Sequence, residues 1–156
     1  MNINELIETI TNAVADQEEL NAWSTIEYDR GYRVFENIDM RNPPEEEDCP
    51  LVVVRPSEKS GGMSRSVKSF TLAVDCLVFD DGIPEEINGV IRFKGGRLVE
   101  EFRTMVFSHI LAAIPSDCHI ADIEVQYDTV EQFPYIWCGM GITIEQGQII
   151  GVNPYE

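Results

Sequence analysis

The fold is decided by three neighbouring stretches: LVVVR at 51–55, SRSVKSFTLAVDCLVFD at 64–80 and LVEEFRTMVFSHILAAI at 98–114. The first is a continuous apolar run, typical of a strand in the middle of a sheet, and we expect Pro56 to end it. The second alternates between apolar and polar residues and predicts a long strand over 65–79. The third has apolar residues at helical spacing and predicts a helix over 97–113.

The alternation gives the long strand two different faces. One face is wholly apolar, and we expect helices to cover it; its members are Phe70, Leu72, Val74, Cys76 and Val78. The other face is half polar, yet it also carries Leu77 and Phe79. Two large apolar side chains are out of place there in a monomer, so we predict that they lie in a subunit interface.

The rest of the chain supplies further elements of the same kinds. We predict a helix over 3–15, strands over 32–37, 119–127 and 133–145, and loops over 41–50, 56–64 and 80–89. This order predicts an α+β fold, with a two-layer, mainly antiparallel β-sheet and two amphipathic helices packed on one face. We expect one domain over 1–146 and a C-terminal extension over 147–156.

The charge is the unusual feature of the composition. The 156 residues include 28 acids and 11 Lys or Arg, for a formal net charge of −17. Such a charge repels nucleic acid and argues against a general DNA- or RNA-binding module, although a protein that surrounds DNA without gripping it stays possible. No run is long and apolar enough for a membrane helix, and the N-terminus lacks the pattern of a signal peptide.

No catalytic, cofactor or metal motif is found in the sequence. The four cysteines form no CxxC pair, which disfavours a zinc site and favours free, buried thiols. The acidic run at 45–48 has metal-binding chemistry, but four adjacent acids are more typical of a solvated loop. Four basic residues surround the 56–64 loop: Arg55, Lys59, Arg65 and Lys68. They either balance an acidic surface or contact an acidic neighbour or a passing phosphate backbone.

Four stretches together resemble the tail terminator proteins of long-tailed bacteriophages and prophages, also called tail completion or minor tail proteins. They are CPLVVVRP at 49–56, SFTLAVDCLVFDD at 69–81, LVEEFRTMVFSHI at 98–110 and QFPYIWCGMGITIE at 132–145. The resemblance covers 1–146. The chain departs from the pattern in a long 80–97 segment and in its extended end after 146.

The resemblance implies a structural protein, not an enzyme, whose copies close into a hexameric ring. Such a ring caps the tail tube, ends its polymerisation and offers the surface that joins the head, while DNA passes through without specific binding. The implied partners are other copies, the tail tube protein and a head–tail connector protein, in the virion tail and, during assembly, in the host cytoplasm. The candidate subunit contacts are Leu77, Phe79, Trp137, Gly139 and Gly141, since the two glycines leave room for close approach or a bulge. Arg55, Lys59, Arg65 and Lys68 are candidates for contact with the tube or a neighbour.

Three other functions stay open at this point. One is an acidic binding module that mimics nucleic acid or inhibits a host protein. Another is a different connector protein of the phage neck. The last is a small hydrolase that uses a pair of carboxylates, which would require a deep pocket with acids of raised pKa.

Overall fold

The structure, a computed structural model, describes residues 1–60 and 67–147. Its three helices are α1 (Ile3–Val14), α2 (Glu18–Tyr28) and α3 (Gly95–Ala113). Its seven strands are β1 (Arg33–Glu36), β2 (Leu51–Ser60), β3 (Val67–Phe79), β4 (Glu85–Ile87), β5 (Val90–Arg92), β6 (Cys118–Asp128) and β7 (Tyr135–Gly147). The predicted α+β class is confirmed. The predicted domain boundary at 146 falls inside β7, and residues 148–156 of the predicted extension lie outside the described part of the chain.

Five strands form the main sheet in the order β1-β2-β3-β7-β6. The pairing of β1 with β2 is parallel, and the other three pairings are antiparallel. β7 lies between β3 and β6 although it follows both in the chain. After β3 the chain passes through α3 and returns as β6, which leaves one strand position beside β3 empty, and β7 then fills that position. The predicted strands and their mainly antiparallel pairing are confirmed.

The main core lies between the sheet and α1 and α3. The side chain of Asn2 accepts a hydrogen bond from the backbone of Glu5, whose carboxylate accepts one from the backbone of Asn2, and this capping box starts α1. The two helices bury Leu6, Ile7, Ile10, Val14, Leu98, Val99, Phe102, Val106 and Ile110. These helices pack on the apolar face of β3 that the alternation predicts, and all five residues of that face are fully buried.

Strand β2 continues through Pro56, which corrects the prediction that this proline ends it. LVVV at 51–54 lies between β1 and β3 and is buried on both faces, as predicted. The short β1 pairs only with these four residues, so no strand among the described residues lies on the outer side of Pro56, and a proline is tolerated at such an edge. A bulge between Pro56 and Glu58 then shifts the register of β2 against β3. Residues 61–64 of the predicted loop lie outside the described residues.

Helix α2 is a third helix in addition to the two predicted. Its apolar stripe is thin, because Leu20 and Ser24 are its fully buried residues. Trp23 holds it to α3 through a stacked contact with the ring of Phe102, at a centroid distance of 5.2 Å. The Ser24 hydroxyl donates to the carbonyl of Arg30, 2.7 Å away. A helix held by one aromatic stack and one buried serine has too little periodic apolar signal to be recognised in the sequence.

The segment predicted as a turn over 80–89 contains a β-hairpin. β4 and β5 pair over Glu85–Ile87 and Val90–Arg92, and Asn88 and Gly89 form the turn with φ of 53° and 78°. Positive φ at both turn residues suits an Asn-Gly pair in a two-residue hairpin. The hairpin stands apart from the main sheet, and α3 begins just after it.

Candidate functional site

One face of the main sheet points away from α1 and α3, and we call it the open face. Register places Leu77 beside Trp137, Asp75 beside Gly139, and Ala73 beside Gly141 on β3 and β7. Leu51, Val53 and Arg55 of β2 continue these three rows. The structure therefore brings all five predicted subunit-interface residues onto one surface, together with Arg55.

One end of the open face is apolar and packs on itself. Cys49, Leu51 and Val53 are buried there, and a ring of half-buried apolar residues surrounds them: Phe35, Ile38, Leu77, Phe79 and Tyr135. The rings of Phe79 and Tyr135 meet edge to face, with centroids 5.1 Å apart. Leu77 and Phe79 thus have a place within a single chain, which corrects the argument that they are out of place in a monomer. Their role in an interface stays a prediction.

The centre of the open face holds a polar cluster around Asp75. The indole N–H of Trp137 donates to Asp75 Oδ1 over 3.1 Å, and Arg55 Nε donates to Oδ2 over 3.1 Å. The indole ring lies over Gly139, where an added Cβ would come within 2.3 Å of Trp137 Cζ2. Gly139 therefore makes room for the chain's own tryptophan, and not for another backbone as the sequence suggested. Gly141 differs, since an added Cβ would have 3.9 Å to its nearest neighbour.

A small cavity lies beside this cluster. It has a volume of about 170 Å³ and is lined by Arg55, Ala73, Asp75, Glu124, Gln126, Trp137, Gly139, Met140 and Gly141. Ligand pockets usually measure roughly 300 Å³ or more. This one suits a few water molecules or the tip of one side chain.

The four predicted basic residues do not form one surface. Arg55 lies on the open face, whereas Lys59 pairs across the strands with Phe70 and so belongs to the helix side of the sheet. Lys68 is also on that side, where its ammonium donates to the carbonyl of Met1 over 2.7 Å and lies 5.1 Å from the centroid of the Phe70 ring. Arg65 lies outside the described residues. Four positions apart on a regular strand, Arg55 and Lys59 would share a face, but the bulge between Pro56 and Glu58 moves Lys59 to the opposite one.

A second surface, which the sequence analysis missed, lies at the β4–β5 hairpin. Two cavities of about 490 and 530 Å³ meet at Phe93, and we call them together the hairpin groove. Its large apolar side chains are exposed: Ile83, Ile91, Phe93, Val130 and Phe133. The first is 95 % exposed and Phe93 is 57 % exposed. The sequence signal was the Asn88-Gly89 pair between Ile87 and Val90, which indicates a hairpin.

The strongest charge interaction lies elsewhere and is structural. Glu100 and Arg103 of α3 form an ion pair, and the Tyr127 hydroxyl of β6 donates to the same carboxylate. The hydrogen bond from Arg103 lowers the pKa of Glu100 to about 2. This network joins α3 to the edge strand. Burial raises the pKa of the Cys49 thiol to about 12 and that of Cys138 to about 11, so these thiols are protonated at neutral pH.

Within residues 1–60 and 67–147, no three His, Cys, Asp or Glu side chains are grouped so that they could hold a metal ion. In the acidic 45–48 run, Asp48 pairs with Arg33, and its carboxylate accepts from the backbone of Glu45 over 2.9 Å. Among the helices of the described part of the chain, none has both the length and the apolar character to cross a membrane. A comparison with protein-family models finds no match to this chain, and a search of curated proteins finds none either.

Proposed function

We propose that this chain is a structural protein of a phage or prophage tail that works by assembling with its own copies. In this proposal the copies close into a ring that caps the tail tube, ends its polymerisation and offers a surface for joining the head. The observation that carries the proposal is the amount of apolar surface that a single chain leaves exposed. At the hairpin groove alone, five large apolar side chains face solvent, and such patches mark interaction surfaces in folded proteins.

Two further observations support assembly. The open face offers a shallow contact surface with a fixed tryptophan, and its cavity is too small for a typical ligand. The sequence stretches that resemble tail terminators form β2, β3, α3 and β7, which are the elements of the main core.

The charge fits the passage of DNA through such a ring. A lumen that lacks cationic contacts binds phosphate weakly, because affinity for DNA comes mainly from phosphate contacts and released counterions. With a net charge of −17, the chain repels the backbone more than it attracts it. The partners that the resemblance implies, and that we propose, are other copies, the tail tube protein and a head–tail connector protein.

The test is the mass of the purified chain and its binding to tail tubes. Light scattering across a wide concentration range is expected to show a closed assembly of about six copies. Negative-stain images are expected to show rings, and rings at tube ends once tubes of the same phage are added. A chain that stays monomeric at high concentration and ignores tube ends would overturn the proposal. Tight binding of such a monomer to a basic host protein would instead support an acidic binding module.

A further inference from the structure

The hairpin groove exposes five large apolar side chains of the described part of the chain. One cavity is framed by Phe93, Val130, Phe133 and the start of α3, and the other by Ile83, Ile91 and Phe93. The rings of Phe93 and Phe133 meet edge to face, with centroids 6.3 Å apart, and form the ridge between the cavities. An apolar protrusion on a partner would fill either cavity.

The rim of the groove is positive in an otherwise acidic protein. Arg92, Lys94 and Arg97 line its second cavity, and none of them has an ion pair within the described residues. The same place is the N-terminus of α3, which has no acid in its first turn and no side chain capping it. Free backbone N–H groups and the helix dipole add to the positive potential there. Acids also occur nearby, since Asp80 and Glu85 line the two cavities, but neither makes an ion pair with the three cations.

The chain itself carries a surface of the opposite character in the loop 39–47. Met40 stands out from this loop with 78 % of its surface exposed. The acids Glu46 and Glu47 follow two prolines, are exposed, and have no ion pair among the described residues. Next to Met40, the exposed Arg41 is paired with Asp39. The loop thus offers an exposed apolar side chain and, further along, two unpaired carboxylates, which complement an apolar groove with a cationic rim.

The two surfaces are built from different parts of the chain. The loop 39–47 follows β1, which is one edge strand, and the groove includes Thr129 and Val130, which follow the other edge strand, β6. A contact between different surfaces of identical chains is heterologous, and its repetition closes a ring when the rotation allows it.

We propose that the hairpin groove of one copy binds the loop 39–47 of a second copy, with Met40 in the apolar cavity and Glu46 and Glu47 against the cationic rim. This inference rests on the proposed self-assembly and names the surfaces that carry it. In this proposal the 80–97 segment, which departs from the tail-terminator pattern, forms one half of the subunit contact.

The test is a pair of charge reversals in the full-length chain. One variant carries Lys94→Glu and Arg97→Glu, and the other carries Glu46→Lys and Glu47→Lys. Each variant alone has like charges on both sides of the contact, so we expect a mass close to that of one subunit at concentrations where the wild-type chain assembles. Mixed in equal amounts, the two variants restore opposite charges at every contact of an alternating ring, and the wild-type mass is expected to return.

The design carries its own control, because one variant makes the chain more negative and the other makes it less negative. A loss of assembly in both therefore does not come from overall repulsion. All four changed side chains are exposed, and far-UV circular dichroism checks that each variant is folded. Rings of wild-type mass in both single variants would overturn the docking of groove and loop while leaving self-assembly intact. Loss in both without recovery on mixing would also overturn it. A wild-type chain that never assembles would overturn the proposed function itself.

Discussion

The substitution Gly139→Ala tests whether the polar cluster on the open face is a fixed arrangement. An added Cβ would lie 2.3 Å from Trp137 Cζ2, 2.7 Å from Cη2 and 3.0 Å from Asp75 Oδ1. Real carbon contacts are never this short, so the indole ring must leave its position over the glycine. Its movement breaks the 3.1 Å hydrogen bond from the indole N–H to Asp75.

The expected cost follows from these contacts. Forcing extra volume into a packed site costs about 1–3 kcal/mol, and a lost hydrogen bond costs about 1 kcal/mol. Alanine also stabilises the protein by about 0.4–1 kcal/mol, because it restricts the unfolded chain more than glycine does. We therefore expect Gly139→Ala to lower the free energy of unfolding by about 1–3.5 kcal/mol.

Gly141→Ala is the matched control. It makes the same chemical change two residues away on the same strand and face, where the nearest atom, the carbonyl oxygen of Glu124, is 3.9 Å from the added Cβ. Without a clash, only the unfolded-state term acts, so this variant is expected to be as stable as the wild type or slightly more stable.

The assay is urea unfolding followed by far-UV circular dichroism, with tryptophan fluorescence reporting the indole environment. Repeating Gly139→Ala in a Trp137→Phe background removes the two indole carbons that the Cβ meets, so its cost is expected to fall. Equal stability of the two alanine variants, with unchanged fluorescence, would refute the reasoning. An undiminished cost in the phenylalanine background would do the same.

Two other measurements test the core and the α3–β6 junction. Glu100→Gln is expected to lower stability at pH 7 by about 1 kcal/mol, because the pair is partly exposed. The pKa of Glu100 in the folded protein is lowered to about 2 from 4.5, so its contribution to stability is complete above about pH 5 and shrinks as the pH falls towards 2. The urea midpoints of the wild type and the variant should therefore converge on acidification. A constant difference down to pH 3 would contradict this. Thiol labelling followed by mass spectrometry should show modification of Cys118 first, since this thiol is partly exposed while the other three are buried. Early labelling of a buried thiol would show that the core opens readily. The three buried thiols are Cys49, Cys76 and Cys138.

Local pattern was enough to place most strands and two helices. The alternation in β3 and β7 identified the buried face of each strand, because successive side chains in a strand point to opposite sides. The helical spacing of α1 and α3 identified two helices for the same local reason. Helix α2 and the β4–β5 hairpin were missed, since α2 is held by Trp23 and Ser24 with little periodicity and the hairpin has only three residues in each strand.

The candidate site was only partly visible in the sequence. Alternation placed Leu77, Trp137 and Gly139 on a face that differs from the core, and the structure puts them there. It gave no sign that the indole of Trp137 fills the space over Gly139, since that depends on a rotamer and on Asp75 of a neighbouring strand.

The sequence by itself determined the buried face of β3 and the buried stripe of α3, because these follow from a period of two or 3.6 along the chain. Only the tertiary structure decided that β7 lies between β3 and β6, that Leu77 and Phe79 pack within one chain, and that Phe93 and Phe133 meet at the hairpin groove. These outcomes depend on residues far apart in sequence, whose meeting is set by strand pairing and packing and leaves no local pattern.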